Sequence, residues 1–121
     1  KEINTVFDLA IENSNKNTIV NCSNWGCYFN FNLSNKNKLP VVFADTIKYM
    51  KDLSLVSNKN KKNILHLCQS KYSETHIEPY ENEYSLNTIC NQEKLKEIYS
   101  TNNVLEIQSD AEVWKVFKII P

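Results

Sequence analysis

Cys22-Ser23-Asn24-Trp25-Gly26-Cys27, running on into Tyr28-Phe29-Asn30-Phe31-Asn32-Leu33, is the stretch on which the fold turns. It holds two of the four cysteines and the only glycine of the chain. Before it lies Thr18-Ile19-Val20-Asn21-Cys22, a short β-branched run. After it, Phe29, Phe31 and Leu33 alternate with Asn30 and Asn32, the period of a half-buried strand. The spacing predicts an antiparallel hairpin whose turn is Ser23 to Gly26. Gly26 would supply the positive φ such a turn commonly needs.

Three kinds of chemistry could explain the cysteines. A zinc site could draw on Cys22, Cys27, His66, Cys68, His76 and Cys90. The Cys-x4-Cys spacing is wide for zinc, however, and no second tight pair follows it. A redox pair asks for Cys-x-x-Cys at a helix start, and neither feature is legible. Two structural disulfides fit best; of the three pairings that four cysteines allow, Cys22–Cys27 with Cys68–Cys90 is favoured, because Cys22 and Cys27, facing each other across a tight turn, would lie within bridging distance, although the sequence alone leaves the connectivity open. On loop-closure entropy they contribute about 2 and about 3 kcal/mol. A protein that relies on such bridges folds in an oxidising compartment, here periplasmic or extracellular.

Bulk composition narrows the function classes. The chain has 121 residues, one domain's worth, with 41% hydrophobic residues, enough for a core. Its 14 cationic side chains, all lysine, are matched by 14 acidic ones. A neutral chain without arginine is a poor binder of nucleic acid or anionic membrane. With one glycine it has no glycine-rich phosphate loop. No stretch reaches the roughly 20 apolar residues of a membrane span, and no signal peptide is visible. The chain opens without Met and already inside a helical pattern, so a processed or removed upstream segment is expected.

Along the chain, Ile3, Val6, Phe7, Ala10 and Ile11 form one apolar stripe of a helix over residues 2–16, ended by the polar run Asn13 to Asn17. Val41-Val42-Phe43 is expected to be a buried strand. Asp45 would cap a short helix to about Leu53, with Ile47, Met50 and Tyr49 inward. Ser57 to Asn63 is expected to be a solvated loop and Ile64 to Cys68 a strand. Ser70 to Ser85 is expected to be a long irregular loop. Asn91 would cap a helix to about Ser100. Val104 to Ile107 and Val113 to Ile120 would form a second hairpin around Ser109-Asp110, with Trp114 in the core. The expected class is therefore α+β: an N-terminal amphipathic helix, then an antiparallel β-sheet with short helices, stapled by two disulfides in a single domain spanning 1–121.

Catalytic signals are weak. His66 and His76 are the general-base candidates. His66 lies in an alternating strand, where a partly exposed structural histidine is expected, and His76 lies in a polar loop. Glu74, Glu78, Glu81 and Glu83 lack the spacing and turn glycine of a calcium loop. No metal or other cofactor is expected, and no enzyme activity. Loop aromatics are better candidates, as partner anchors: Trp25, Tyr72, Tyr80 and Tyr84, with Tyr28 beside them. Two glycosylation sequons occur, Asn21-Cys22-Ser23 and Asn32-Leu33-Ser34.

The order Phe7-Asp8-Leu9-Ala10-Ile11, then Ser14, a polar run Asn15-Lys16-Asn17, and the strand Thr18 to Cys22 resembles a known pattern. It is similar to type IV pilin-like proteins, the minor pilins and pseudopilins of the FimT/GspH kind, over about residues 3–33. The resemblance implies a soluble domain lacking its N-terminal hydrophobic helix. It implies a non-catalytic exported subunit of a type IV pilus, type II secretion or DNA-uptake filament, with other filament subunits as partners. Ile3, Phe7 and Ala10 would then hold the helix on the sheet. The alternative is a secreted or periplasmic binding protein, an inhibitor or immunity protein, acting through loop 70–85.

Overall fold

The computed structural model describes residues 2–23, 25–34, 39–69, 90–107 and 113–121. The elements run α1 (Glu2–Glu12), β1 (Thr18–Cys22), α2 (Trp25–Ser34), β2 (Val41–Val42), α3 (Ile47–Asn60), β3 (Asn63–Gln69), α4 (Gln92–Tyr99), β4 (Val104–Ile107) and β5 (Trp114–Ile119). The class is α+β, as the sequence implies. The sheet is mixed rather than wholly antiparallel.

Its five strands lie in the order β2-β1-β3-β5-β4. β1 runs parallel to both neighbours, pairing Val20 with Val41 of β2 and Asn21 with His66 of β3. β5 runs antiparallel to β3, and β4 antiparallel to β5. The C-terminal hairpin is thus as expected, although its Ser109-Asp110 turn falls outside the described residues.

Parallel strands need crossovers, and a right-handed crossover that changes direction along the sheet must change face. The chain leaves β1 through α2 to reach β2, then returns past β1 through α3 to reach β3. The two cores follow from this. One holds Val6, Phe7 and Ala10 of α1 and Cys27 and Phe31 of α2 against Val20, Leu65, Leu67 and Val116. The other holds Met50 and Leu53 of α3 and Leu95, Ile98 and Tyr99 of α4 against Ile19, Ile64, Phe117 and Ile119. Helices therefore cover both faces.

The first expected hairpin does not form. Residues 25–34 are helix α2, and the strand ends at Cys22. The physical reason lies at Cys27 and Phe31. Four residues apart, they fall on one side of a helix, and both are fully buried. Phe29 and Leu33, expected inward, point to solvent. Asn30 and Asn32 donate from Nδ2 to the carbonyls of Gly26 and Tyr28, at 2.8 and 3.0 Å, the i−4 geometry of a helix. Gly26 has no positive φ. It sits in the first turn of α2, where it serves no hairpin.

The other helices stop and start on local chemistry. Thr46, rather than Asp45, caps α3: its Oγ1 accepts from the Tyr49 amide at 3.1 Å. Tyr49 then faces solvent, and α3 runs on to Asn60 through most of the expected lysine-rich loop. Lys61 closes it in the left-handed region with φ 54°. Asn91 caps α4 as expected, Oδ1 accepting from the Lys94 amide at 2.8 Å, and Ser100 closes it with φ 53°. α1 is shorter than expected and ends at Glu12. β2 is a half-buried edge strand of two residues, not a buried one.

The helical assignment of α2 has a direct consequence for stability. Phe31→Ala should lower unfolding free energy by about 3 to 5 kcal/mol, as for a fully buried aromatic. Phe29→Ala should change it by less than about 1 kcal/mol. Urea unfolding of both variants tests this, and equal losses would restore the hairpin.

Candidate functional site

Four places deserve weight as sites: the two disulfides, an aromatic ridge on α2, a buried polar cluster beneath α4, and the loop aromatics of residues 70–85.

Cys22–Cys27 and Cys68–Cys90 are both bonded, with Cα atoms 5.4 and 5.5 Å apart. The pairing is the expected one. Its setting is not, because Cys22 ends β1 and Cys27 lies in the first turn of α2, so the bridge closes a strand-to-helix turn. The helix start that a redox pair asks for is therefore present, but both sulfurs are fully buried. All four thiols are consumed, which removes the thiolate ligands a zinc site would need. Two disulfides fit folding outside the reducing cytoplasm. Among the described residues no helix is long and apolar enough to cross a membrane.

The ridge follows from the same turn. With Cys27 and Phe31 fixed inward, the opposite side of α2 must carry Trp25, Phe29 and Leu33, spaced i, i+4 and i+8. They are 61%, 53% and 73% exposed. The Trp25 ring lies 5.7 Å from Tyr28, 6.3 Å from Phe29 and 5.8 Å from Phe43, which follows β2. Tyr28 and Phe43 are 5.8 Å apart and half-buried. A pre-ordered cluster of this kind loses little side-chain entropy when something docks on it. α2 carries no charged residue, so nothing on it repels an apolar partner. Trp25, expected from the sequence to be a partner anchor, is exposed on this ridge. Its neighbours on the ridge were not expected there, because strand alternation assigns Phe29 and Leu33 to the core and Phe43 to a buried strand.

The polar cluster is a second surprise. His66, expected to be partly exposed, is fully buried in the centre of β3. Its neighbour in register, Asn21, is also fully buried. Asn21 Oδ1 accepts from the Ala44 amide at 2.9 Å. That fixes the other amide atom as the NH2 group, which faces the Ala44 carbonyl at 3.3 Å, His66 Nδ1 at 3.2 Å and Tyr99 Oη at 3.3 Å. Tyr99 Oη also lies 3.3 Å from His66 Nδ1. Burial pushes the Tyr99 phenol well above its ordinary range, against a smaller opposing effect of the Asn21 hydrogen bond. The phenol therefore keeps its proton and can donate. Ser54 Oγ donates to the Tyr99 carbonyl at 2.9 Å, joining α3 to α4. The polar interruption of a β-branched run at Asn21 is the one sequence signal that could have revealed this cluster.

His66 is closed off from solvent in this structure. His76, Glu74, Glu78, Glu81, Glu83, Tyr72, Tyr80 and Tyr84 lie outside the described residues. Of the two sequons, Asn21 is consumed inside the fold and Asn32 is exposed on α2. Trp114 is buried in the α1–α2 core, as expected. Comparison of the chain with family models, curated proteins and solved structures finds no match.

The two bridges should differ in worth. Cys68→Ala with Cys90→Ala, which opens a 22-residue separation, should lower stability by about 3 kcal/mol; Cys22→Ala with Cys27→Ala, across 5 residues, by about 2. Non-reducing peptide mapping checks the pairing, and denaturant unfolding of the two double variants checks the order.

Proposed function

We infer that this chain is an exported, non-catalytic protein-interaction domain that docks a protein partner through the aromatic ridge of α2. The observation that carries this is the exposure of Trp25, Phe29 and Leu33 in one line on a charge-free helix. Monomeric proteins rarely leave contiguous apolar patches of a few hundred Å² without a use. Trp and its aromatic neighbours are the residue types that supply most of an interface's energy. The buried state of His66 speaks against hydrolytic or general-base chemistry at that residue.

Two forms of the reading remain in play, each with its own support. In the first, the domain is a filament subunit of the minor pilin or pseudopilin kind, held in the periplasm or outside the cell. The packing of Phe7 and Ala10 of α1 on the sheet agrees with the role that resemblance gives them. In the second, it is a free secreted or periplasmic binding protein, with the ridge as its contact surface in place of or together with loop 70–85. The second form has the more direct support, because Trp25 and Tyr28 of the ridge pack against Phe43, giving an ordered aromatic surface apart from α1.

A photo-crosslinking residue at position 29, introduced in the native source, should give one discrete protein adduct. The same residue at Lys51 on the far side of the sheet should not. Trp25→Ala should cut the adduct at least tenfold while leaving the unfolding midpoint unchanged, as a hot-spot aromatic would. Equal labelling from both positions would overturn the ridge. An adduct with a second copy of the chain or with filament subunits favours the first form, and an adduct with an unrelated protein the second.

A further inference from the structure

We propose that the end of the sheet where β1 and β3 begin is a docking site for an anionic polysaccharide, held by Lys16, Lys59, Lys61 and Lys62. The site is separate from the aromatic ridge and does not depend on it. It rests only on folding outside the reducing cytoplasm, which the two disulfides support.

Parallel pairing brings the four lysines together. Thr18 pairs with Asn63, so the segment 13–17 that enters β1 lies beside the segment 58–62 that enters β3. The Asn63 amide donates to the Asn17 carbonyl at 2.8 Å, and Lys62 Nζ donates to the Lys16 carbonyl at 3.3 Å. The second segment is also fixed to the end of α3. The Lys62 amide donates to the Ser57 carbonyl at 2.9 Å, and Ser57 Oγ donates to the Lys62 carbonyl. Two segments remote in sequence thus form one hydrogen-bonded surface. Lys16, Lys59 and Lys61 are exposed on it, and Lys62 is half-buried.

The net charge of zero hides an uneven distribution. No acid occurs between Glu12 and Asp45, nor between Asp52 and Glu74. Ile64 pairs with Ile119 and Ile119 with Val104, so the segment 100–103 lies at the same end, and it is uncharged. Among the described residues the ion pairs are Lys94–Glu97, Lys96–Glu93 and Lys115–Glu106, all elsewhere. The fields of the four lysines therefore add with no carboxylate between them. Lys59 also suits the negative end of the α3 dipole. Lys16, on another segment, has no such reason to be there.

Lys61 is an independent sign. It closes α3 in the left-handed region, with φ 54°. A residue with a Cβ is strained there, and after glycine asparagine tolerates it best. Asparagine stands close by at 58, 60 and 63, yet the strained position itself holds lysine. A strained position filled by a less tolerant residue points to use of the side chain.

The chemistry of the patch selects the partner. Segments 13–17 and 57–63 contain no apolar or aromatic residue. Protein interfaces need an apolar centre and are depleted in lysine, so a protein partner is poorly served. Bases have no ring to stack on, and a nucleic-acid backbone has no arginine fork. An ammonium on a flexible stem suits anions spaced irregularly along a chain. The side-chain amides of Asn17 and Asn58, exposed and without a partner among the described residues, can bond hydroxyls between those anions. A polysaccharide bearing repeated sulfate or carboxylate groups supplies both.

The probes are a heparin-derived octasaccharide and, as its carboxylate-only counterpart, a hyaluronan octasaccharide, titrated calorimetrically into the oxidised protein. Binding of the heparin saccharide alone assigns sulfate to the ligand; binding of both assigns repeated charge. With four charges neutralised, affinity should fall about 50-fold between about 50 and 200 mM salt. Changing all four lysines to glutamine should weaken binding at least about tenfold, and the same change at Lys48, Lys51, Lys94 and Lys96 by less than about threefold. Lys61→Asn should weaken binding about twofold while raising the unfolding midpoint, which a structural lysine would not do. Trp25→Ala should leave binding unchanged. Failure of both saccharides to bind overturns the proposal, as does equal weakening in the two quadruple variants. A polyglutamate peptide of equal charge bound as tightly as the octasaccharide also overturns it, by giving the patch to an acidic protein. Should the first quadruple variant not fold, Lys59→Gln with Lys61→Gln decides, and unweakened binding there overturns the proposal.

Discussion

The parallel pairing of β1 with β3 governs this structure. A parallel pair cannot be joined by a tight turn, so the chain must travel over the sheet between its strands. Because β1 has parallel neighbours on both sides, the chain must do so twice, once over each face. Both central strands then lose solvent on both sides, and every residue of β1 and the middle five residues of β3 are buried. A polar residue there has nowhere to send its hydrogen bonds except inward. Asn21 and His66 sit opposite each other in that pairing, and they satisfy one another, Ala44 and Tyr99. The buried cluster is thus a consequence of topology: the same two residues on a one-sided sheet could have faced water.

The disulfides answer a different constraint at the same end of the same strands. Cys22 ends β1 and Cys68 lies next to the end of β3, yet they belong to opposite cores. Each bridge ties a central strand to the start of a helix on its own face, α2 in one case and α4 in the other. A sheet whose crossovers are its longest excursions gains most from fixing the points where the chain departs. The short bridge has a further effect, because it sets the rotation of α2. With Cys27 held inward, Phe31 follows it, and Trp25, Phe29 and Leu33 are left outside.

Much of this was legible in the sequence, and the part that was not shares one cause. The class, the cysteine pairing, the cap at Asn91, the core side of α1 and the C-terminal hairpin all rest on local signals that act over a few residues. The failure at residues 25–34 is also local in origin. Phe29, Phe31 and Leu33 alternate with asparagine, and over ten residues alternation and a helical stripe cannot be told apart when few positions are apolar on both templates. The deciding contact, Phe7 edge-on to Phe31 at 5.1 Å, joins residues far apart in the chain. The unbroken run Ile64-Leu65-His66-Leu67-Cys68 did hold a usable signal: a strand apolar at nearly every position is one covered on both faces. Read that way, it argues for parallel crossovers, and hence for a helix rather than a turn after Cys22.

Local choices that disagree with the global fold mark function more often than accident. Two such choices stand out here, and they have opposite character. α2 exposes a tryptophan, a phenylalanine and a leucine in a line although the same helix has room for polar residues at those positions, as Asn30 and Asn32 demonstrate. β3 buries a histidine in a strand whose other buried residues are Ile, Leu and Cys. The first places apolar surface in water, the second a titratable group in the core, and neither improves stability relative to the obvious exchange. Exchanging them in thought, a leucine at 66 and polar residues at 25, 29 and 33, leaves every backbone pairing and both disulfides untouched. What disappears is an exposed apolar line on α2 and a buried polar cluster beneath α4, which is why these two departures, rather than the cysteines, are where a function is to be sought.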